Sequence, residues 1–328
     1  MDRRVIHWLS PGDPGQRTGG YLYNERVISG LRARGHRVEV HAISGPWPAA
    51  DAAVAQRVAD ALAGAVPSQP IVADGLLWTS GAAGCARPAW VLVHSPLYRE
   101  GVSELRILER AALKGAHRVI YTGARSRRDL GLPGAVITPG TERATAASRP
   151  GVGSILCVAT VTPRKGHDLL LKALAQVDAP WTLHCAGSLD RRPAWARDMA
   201  HLARELGLSE RVVWHGELAE DELERRFSMS DLVLHAARYE AWGMGLAEAL
   251  ARGLPVVTTD AGVLDDLPSE AYVRVSPDPR QLAAAVMGLL TDSERCASLS
   301  QAALRAGKAL PTWTVQIDRF ERELLSTQ

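Results

Sequence analysis

The chain has 328 residues, of which 46% are hydrophobic and 23% are charged, and its formal net charge at pH 7 is +2. This composition excludes the disordered and fibrous classes, and the near-neutral charge argues against nucleic acid as a partner. The length predicts two domains, at roughly 100–200 residues for each. No stretch approaches the roughly 18 apolar residues of a membrane span, and the first apolar run stops at Pro11, which is too short for a signal peptide.

Cysteine usage points to a reducing compartment. The four cysteines lie far apart and show neither a metal-binding nor a disulfide-rich spacing; they are Cys85, Cys157, Cys185 and Cys296. We therefore expect buried thiols and a cytoplasmic protein.

Short apolar runs alternate with longer helical patterns along the chain, which is typical of βαβ units and parallel sheets. The first part predicts strands at 5–10, 37–43, 71–73, 90–94, 119–122 and 135–138, and helices at 21–34, 51–63 and 104–116. An aperiodic stretch, 143–150, predicts a linker. The second part predicts strands at 154–159, 181–186, 211–215, 232–235 and 255–258, and helices at 166–177, 193–206, 220–227, 245–252, 279–291, 292–309 and 313–325. We predict an α/β protein with domains at 1–142 and 151–312.

Open parallel sheets bind ligands beyond the carboxyl ends of their strands, so the strand-to-helix loops of the first domain are candidate sites. Gly19 and Gly20 begin a predicted helix and would let an anion approach its amino terminus. The alternative is a loop that only needs glycine for its backbone angles. The loop lacks the GxGxxG pattern, which disfavours a dinucleotide-binding fold. His94 ends an apolar strand, where a structural histidine is the simpler interpretation.

Two loops of the second domain carry charged residues. Arg164 and Lys165 directly precede a helix, where cations oppose the helix dipole unless an anion such as a diphosphate compensates. The alternative is a solvated turn. Glu240 and Glu248 flank the start of another helix, and their carboxylates can accept hydrogen bonds from sugar hydroxyls. The alternative is that these two glutamates are surface residues that interact only with the helix dipole.

Together these loops resemble the retaining GT-B glycosyltransferases of family 4. The similarity is strongest over 151–260, where the runs CVATVTPRKGHDLLLKAL, VVWHGEL and EAWGMGLAEALARGLPVVTTDAG stand in the family's order. The resemblance implies two Rossmann-like parallel α/β domains that face a central cleft. It implies an acceptor-side first domain, a second domain that binds the nucleotide-sugar donor, and a last helix, 313–328, that crosses back to the first domain.

The resemblance also implies residue roles. Glu240, His94 and Lys165 would be catalytic, with Glu240 supporting the transferred sugar and His94 contacting its outer hydroxyls. The implied donor-binding residues are Arg164, Lys165, Glu240, Gly243, Met244, Gly245, Glu248, Gly187, Leu218, Gly19 and Gly20. In that set Glu248 would bind the ribose, while Gly187 and Leu218 would lie in loops that hold the base. The chain departs from the family at Ala159 and Thr160, where a Gly-Arg pair is usual, so the second phosphate cation would be Arg164.

The expected reaction is transfer of a sugar from a nucleoside-diphosphate sugar to a hydroxyl acceptor, with no required metal. The alternatives are a nucleotide-sugar epimerase or sugar-phosphate synthase, or a non-catalytic partner subunit with the same fold. Residues 1–142 are mildly basic, with 17 Lys and Arg against 12 Asp and Glu. Basic residues on the predicted helix 104–116 and in the loop that follows it could hold the first domain weakly at the inner membrane face. They are Arg106, Arg110, Lys114, Arg125, Arg127 and Arg128. We favour a solvated arginine-rich face, because the sequence shows no large apolar flank beside it.

Overall fold

The computed structural model describes residues 3–13, 15–45, 47, 52–80, 87–100 and 105–325. Cys85 and the first residues of two predicted helices, Asp51 and Glu104, lie outside this part, as do residues 326–328 of the predicted last helix. The chain divides into two compact units, Met1–Gly140 with Trp313–Gln328, and Thr141–Thr312. We call them the first and second units.

A six-stranded parallel sheet forms the centre of the first unit, in the order β2-β1-β3-β4-β5-β6. Its strands are β1 Val5–Pro11, β2 Arg37–Ile43, β3 Ile71–Asp74, β4 Trp90–Val93, β5 Arg118–Tyr121 and β6 Ala135–Val136. Its helices are α1 Gly19–Ala33, α2 Ala52–Ala61, α3 Gly75–Thr79, α4 Leu105–Lys114, α5 Ala124–Leu130 and α12 Trp313–Leu325. Strands β3 and β4 are buried at every residue, as expected where helices cover both faces of a sheet.

The last helix, α12, packs against α1 in the first unit. A Cβ atom on Gly30 of α1 would lie 2.3 Å from Cδ1 of Ile317, so glycine allows this close approach. Phe320 stacks on Trp8 of β1 with ring centroids 5.8 Å apart. Glu321 lies 2.8 Å from the His36 ring. Apolar burial and a buried polar contact therefore fix the helix to this unit.

The second unit contains another six-stranded parallel sheet, in the order β12-β11-β10-β7-β8-β9. Its strands are β7 Ser154–Val158, β8 Thr182–Ala186, β9 Val212–Gly216, β10 Leu232–His235, β11 Val256–Thr258 and β12 Val273–Arg274. Its helices are α6 His167–Leu174, α7 Pro193–Glu205, α8 Glu220–Ser228, α9 Met244–Ala251, α10 Pro279–Thr291 and α11 Ser293–Ala309. Two apolar clusters, one on each face, bury this sheet.

The prediction of two parallel α/β sheets is confirmed by the strand pairing in both units. Residues 143–150, predicted as a linker, are grouped with the second unit. The backbone N–H groups of Ala147 and Ser148 donate to carbonyl oxygens of Arg252 and Ser228, at 2.9 and 3.0 Å. Among the described residues, no helix is long and apolar enough to cross a membrane.

Candidate functional site

The loop between β7 and α6 approaches the end of β10 very closely. Pro163–Lys165 form a single short helical turn, and Gly166 follows it with a φ angle of +68°. A Cβ atom on Gly166 would lie 1.9 Å from the carbonyl oxygen of Ala236. Glycine is required here both by its backbone conformation and by the space available. This contact brings Lys165 against the chain that follows β10.

Lys165 and Glu240 form an ion pair at this contact. Only 15% of the Lys165 side chain and 11% of the Glu240 side chain are exposed. A third group is His235, the last residue of β10, whose Nε2 lies 3.5 Å from Oε2 of Glu240. The other ring nitrogen of His235 lies 3.3 Å from the hydroxyl of Thr258 on the neighbouring strand. The carboxylate is therefore held between a cation and an oriented imidazole.

The backbone of Glu240 is fixed as well as its side chain. Its N–H group donates to Oδ2 of Asp260 at 3.1 Å, and its carbonyl oxygen accepts from the N–H group of Gly262 at 3.1 Å. A Cβ atom on Gly262 would lie 2.0 Å from the carbonyl oxygen of Ala241, so the loop after β11 needs glycine to come this close. The carboxylate is consequently preorganised by contacts from the loops after β7 and β11 and from the last residue of β10.

These neighbours also set the charge of Glu240. Burial alone would raise the pKa of its carboxyl group, but the ammonium of Lys165, the hydrogen bond from His235 and the charge of Arg164 hold that pKa well below its usual range. Glu240 is therefore ionised at neutral pH. An ionised carboxylate only accepts hydrogen bonds, which suits it to sugar hydroxyls.

Two arginines connect the loop after β7 with the chain that follows β10. Arg164 donates to the carbonyl oxygen of Tyr239 at 3.0 Å. Arg238 forms a two-bond ion pair with Asp168 of α6, at 2.9 and 2.6 Å, and also donates to the carbonyl oxygen of Pro163 at 2.7 Å. Burial would raise the pKa of Asp168, but the hydrogen bonds and charge of Arg238 lower it. Arg238 therefore holds Lys165 in register with Glu240, a role that the sequence did not reveal.

The amino terminus of α9 lies beside Glu240. Gly243 precedes the helix with a φ angle of +100°, and a Cβ atom there would lie 3.3 Å from Cγ of Glu240. A Cβ atom on Gly245 would lie 3.0 Å from the side chain of Val158 at the end of β7. The first N–H groups of a helix have no acceptor within it, so those of Met244 and its neighbours suit an anion. Glu248 is half-buried one turn further on, four residues after Met244 and on the same helix face.

The predicted base-binding residues lie just after β8 and β9; β8 is next to β7 in the sheet, and β9 is next to β8. The N–H group of Gly187 donates to the carbonyl oxygen of Gly216 at 2.8 Å. A Cβ atom on Gly187 would lie 2.2 Å from the carbonyl oxygen of Ala159, so glycine allows the two strand ends to meet. Leu218 packs, partly buried, against the cluster that contains Leu246 and Leu250 of α9.

In the first unit, the structure brings Gly20 and His94 together. A Cβ atom on Gly20 would lie 3.0 Å from Cδ2 of His94, so glycine lets α1 begin against this ring; Gly19 is the first residue of that helix. Nε2 of His94 lies 3.0 Å from Oδ1 of Asn24 and 3.5 Å from Oδ2 of Asp74. Burial lowers the pKa of His94, against the opposing charge of Asp74.

Several residues in these contacts were missed by the sequence analysis. His235 and Asp260 act on Glu240, while Asn24 and Asp74 act on His94. Three of them stand at or just after the end of a parallel strand, which is a signal that the sequence offers. Asn24 lies inside α1, and nothing in its spacing distinguishes it from other polar helix residues.

Comparison with known protein families finds a match to the second unit. The family model of the glycosyl transferases group 1 matches residues 141–306. A D-inositol 3-phosphate glycosyltransferase of Mycolicibacterium gilvum (strain PYR-GCK) is 32% identical over 133 residues, which are 40% of this chain and 30% of that protein. The chain thus spans about a third of the length of this curated relative.

Solved structures extend the likeness to both units. The sucrose-phosphate synthase of Thermosynechococcus elongatus matches 99% of this chain and 100% of its own, with a TM-score of 0.83 and 22% identity. The Anabaena protein HepE, solved in complex with UDP and glucose, matches 99% and 100%, with a TM-score of 0.80 and 20% identity. At this identity the likeness shows the fold, which is GT-B.

Proposed function

Because the chain belongs to the glycosyl transferases group 1 family, we propose that it transfers a sugar from a nucleoside-diphosphate sugar to a hydroxyl acceptor. We also propose that the anomeric configuration is retained, as in family 4. The observation that carries this proposal is the buried ion pair of Lys165 and Glu240 beside the amino terminus of α9. A sugar diphosphate needs both a carboxylate for its hydroxyls and positive charge for its phosphates.

Leaving-group stabilisation supplies the main catalytic effect in this proposal. An ammonium group has three donors, so Lys165 can keep its contact with Glu240 and still donate to a phosphate oxygen. Arg164 and the N–H groups at the start of α9, from Gly243 to Gly245, add positive charge near the departing diphosphate. Glu248, one turn into the helix, accepts from the ribose hydroxyls, and the loops at Gly187 and Leu218 hold the base.

The bond changes need no protein nucleophile. The bond between the anomeric carbon and the phosphate oxygen breaks, and the acceptor oxygen forms a new bond to that carbon on the same face. The acceptor proton passes to an oxygen of the departing phosphate, so charge and atoms balance. Positive side chains and the helix dipole would take the place of a metal ion in this scheme.

We assign Gly19, Gly20 and His94 of the first unit to the same reaction. Burial lowers the pKa of His94, which favours the neutral imidazole at pH 7. Asp74 and Asn24 hold its Nε2 in place. A neutral, oriented imidazole can exchange hydrogen bonds with a sugar hydroxyl, while Gly19 and Gly20 keep the start of α1 open to a phosphate.

A direct test uses purified protein with a set of nucleotide sugars, starting with UDP-glucose because the Anabaena neighbour was solved with UDP and glucose. We expect one donor to raise the thermal midpoint, and NMR of the transfer product to show an unchanged anomeric configuration. Conversion of the nucleotide sugar without an acceptor would instead indicate an epimerase. A sugar-phosphate product would indicate a synthase. Absence of donor binding across the set would favour a non-catalytic subunit.

We further propose a cytoplasmic location with weak peripheral contact to anionic lipid through α4. This proposal is supported by two apolar side chains of α4, Ile107 and Leu108, which are 78% and 60% exposed. They lie on the same helix as the basic residues Arg106, Arg110 and Lys114. Exposed apolar side chains beside basic ones are typical of helices that lie in a membrane surface.

A further inference from the structure

A cluster of three metal-ligating side chains lies in the first unit, among residues that the proposed reaction does not use. His7 of β1 and Glu39 and His41 of β2 each offer one ligand atom, and these atoms all lie within 4.8 Å of one another. The three residues share one face of the sheet, because β1 and β2 pair in parallel with His7 opposite Glu39 and His41 two residues further on. We propose that this cluster is a binding site for Zn²⁺.

The distances suit a tetrahedral ion. Nδ1 of His7 lies 3.0 Å from Nε2 of His41 and 3.5 Å from Oε2 of Glu39. Two nitrogens bound to one tetrahedral zinc at about 2.0–2.1 Å lie about 3.3 Å apart, close to the separation of the two ring nitrogens here. The two rings and the carboxylate would turn towards the ion to complete the site. Two imidazoles and one carboxylate form a ligand set that zinc uses with a fourth position left for water.

Neighbouring groups already orient His7 for this role. The backbone N–H group of Val66 donates to Oε1 of Gln69 at 2.8 Å, which identifies that atom as the amide oxygen. Nε2 of His7 lies 3.0 Å from the same oxygen, so it must carry the proton and donate. The lone pair of His7 is therefore on Nδ1, which faces His41 and Glu39. Zinc-binding histidines are commonly fixed through such a carbonyl acceptor on the other ring nitrogen.

The site is open to solvent on one side. His7 and Glu39 line a surface pocket of about 180 Å³ together with Gln69. The guanidinium of Arg37 lies 2.8 Å from the other carboxylate oxygen of Glu39, and its side chain is largely exposed. Arg37 therefore leaves Oε2 directed towards His7. An ion would reach His7 and Glu39 from this pocket.

The second unit contains a matched histidine pair in which the paired strand offers no carboxylate opposite the first histidine. Nδ1 of His184 lies 3.0 Å from Nε2 of His215, and the rings stack with centroids 5.3 Å apart, as they do in His7 and His41. The residue opposite His184 is Val213, where the first unit has Glu39. The guanidinium of Arg226 lies 3.5 Å from Nδ1 of His184. This guanidinium lies against a would-be ligand nitrogen and repels a metal ion there, whereas Arg37 contacts the oxygen of Glu39 that the proposed site does not use. The second pair therefore serves as a control within the same chain.

The test is zinc titration of tag-free protein in competition with a chromophoric chelator. We expect the wild-type chain to bind one tight zinc ion. His41→Ala and Glu39→Gln should each weaken binding about tenfold or more, and Gln69→Ala should do so about 10–100-fold. His215→Ala should keep wild-type affinity. Because His41 and Glu39 are only half-buried, both variants are expected to fold, and circular dichroism checks this.

Thermal unfolding gives a second readout. Zinc should raise the midpoint of the wild-type chain and of His215→Ala equally, and at the same zinc concentration should raise that of Glu39→Gln less. The proposal is overturned if the wild-type chain binds no zinc, or if His41→Ala binds zinc as tightly as the wild type. An equal loss of zinc affinity in His215→Ala and His41→Ala would also overturn it, since the histidine pair without a paired carboxylate would then bind zinc as well as the proposed site.

Discussion

The ammonium of Lys165 contacts the carboxylate of Glu240, 75 residues further along the chain. The contact depends on Gly166, on the ion pair between Arg238 and Asp168, and on the loop after β11 that fixes the Glu240 backbone. A cation, a carboxylate and the start of α9 are thereby held at one edge of the second sheet. This arrangement is fixed before any substrate arrives.

Replacement of the Lys165 side chain should remove phosphate stabilisation. Lys165→Ala is expected to lower kcat about 10²–10³-fold and to weaken binding of a nucleoside diphosphate, because in the proposed reaction the leaving group loses a stabilising cation. Calorimetry with UDP and turnover measurements check both effects. Lys172→Ala, an exposed lysine on α6, is the matched control and should behave as the wild type.

The double variant tests whether Arg164 acts on the same phosphates. Arg164→Ala alone should also weaken nucleoside-diphosphate binding, and the effect of combining it with Lys165→Ala should be smaller than the sum of the two. Unchanged UDP affinity in Lys165→Ala would contradict the assigned role of this lysine.

Glu240 and Glu248 should affect different kinetic constants. Glu240→Gln is expected mainly to lower kcat, because the charge that faces Lys165 and the transferred sugar is lost. Glu248→Gln should mainly raise the donor KM through weaker ribose contacts. Steady-state kinetics with varied donor concentration separates the two. Full turnover in both variants would contradict the central site assignment.

The pH dependence of stability should reveal the depressed pKa of Glu240. A group with a lowered pKa in the folded state stabilises the fold above its unfolded pKa, about 4.3 for glutamate, and that contribution is lost as the pH falls through the folded value. Glu240→Gln leaves Lys165 buried without its carboxylate, so it should cost about 3 kcal/mol in the free energy of unfolding at pH 7. The difference in the free energy of unfolding between this variant and the wild type should decrease as the pH falls below the pKa of glutamate in the unfolded chain. Urea unfolding of both proteins over this pH range provides the measurement, and a constant difference would contradict the assignment.

Much of the fold could be predicted from the sequence. Buried parallel strands are short apolar runs, and in the helices apolar residues recur every three or four positions. Val5–Pro11 and Trp90–Val93, for example, are buried strands close to where the pattern predicts them. Short helices such as Gly75–Thr79 were missed because five residues contain too few turns for a period to show.

The candidate site was only partly predictable, for a different reason. Lys165, Glu240 and Gly243 carry the family pattern, whereas the contacts that orient them come from distant positions in the chain. His235 and Asp260 act on Glu240 through tertiary packing, and the role of Arg238 depends on Asp168, 70 residues away. Such pairings have no local signal in one sequence. The exposure of Ile107 and Leu108 likewise depends on which face of α4 the sheet covers.

Two glycines with nearly equal φ angles make it possible to distinguish the effect of backbone strain from the effect of moving the loop that carries Lys165. Gly166 and Gly207 have φ angles of +68° and +71°, but a Cβ atom on Gly166 would strike the Ala236 carbonyl at 1.9 Å, while one on Gly207 meets nothing within 4 Å. Gly207→Ala should lose about 1–2 kcal/mol of stability through the left-handed conformation, and Gly166→Ala should lose more, because its Cβ atom also meets the Ala236 carbonyl. Only Gly166→Ala should also weaken UDP binding, because the loop that carries Lys165 must move. Equal UDP affinity in the two variants would show that the loop position is not critical.

The proposed lipid contact of α4 makes the last prediction. Ile107 and Leu108 are exposed on a helix that also carries Arg106, Arg110 and Lys114, so insertion of apolar side chains and attraction to anionic headgroups should act together. The wild-type chain should sediment with vesicles that contain phosphatidylglycerol, less so at physiological than at low salt, and only weakly with neutral phosphatidylcholine vesicles. The double variant Ile107→Ser with Leu108→Ser should lose most of this binding. Val152→Ser, at an exposed valine of the second unit, should keep this binding.

If the double serine variant binds the vesicles as well as the wild type does, charge alone attracts the protein. No sedimentation at low salt would favour the solvated arginine-rich face.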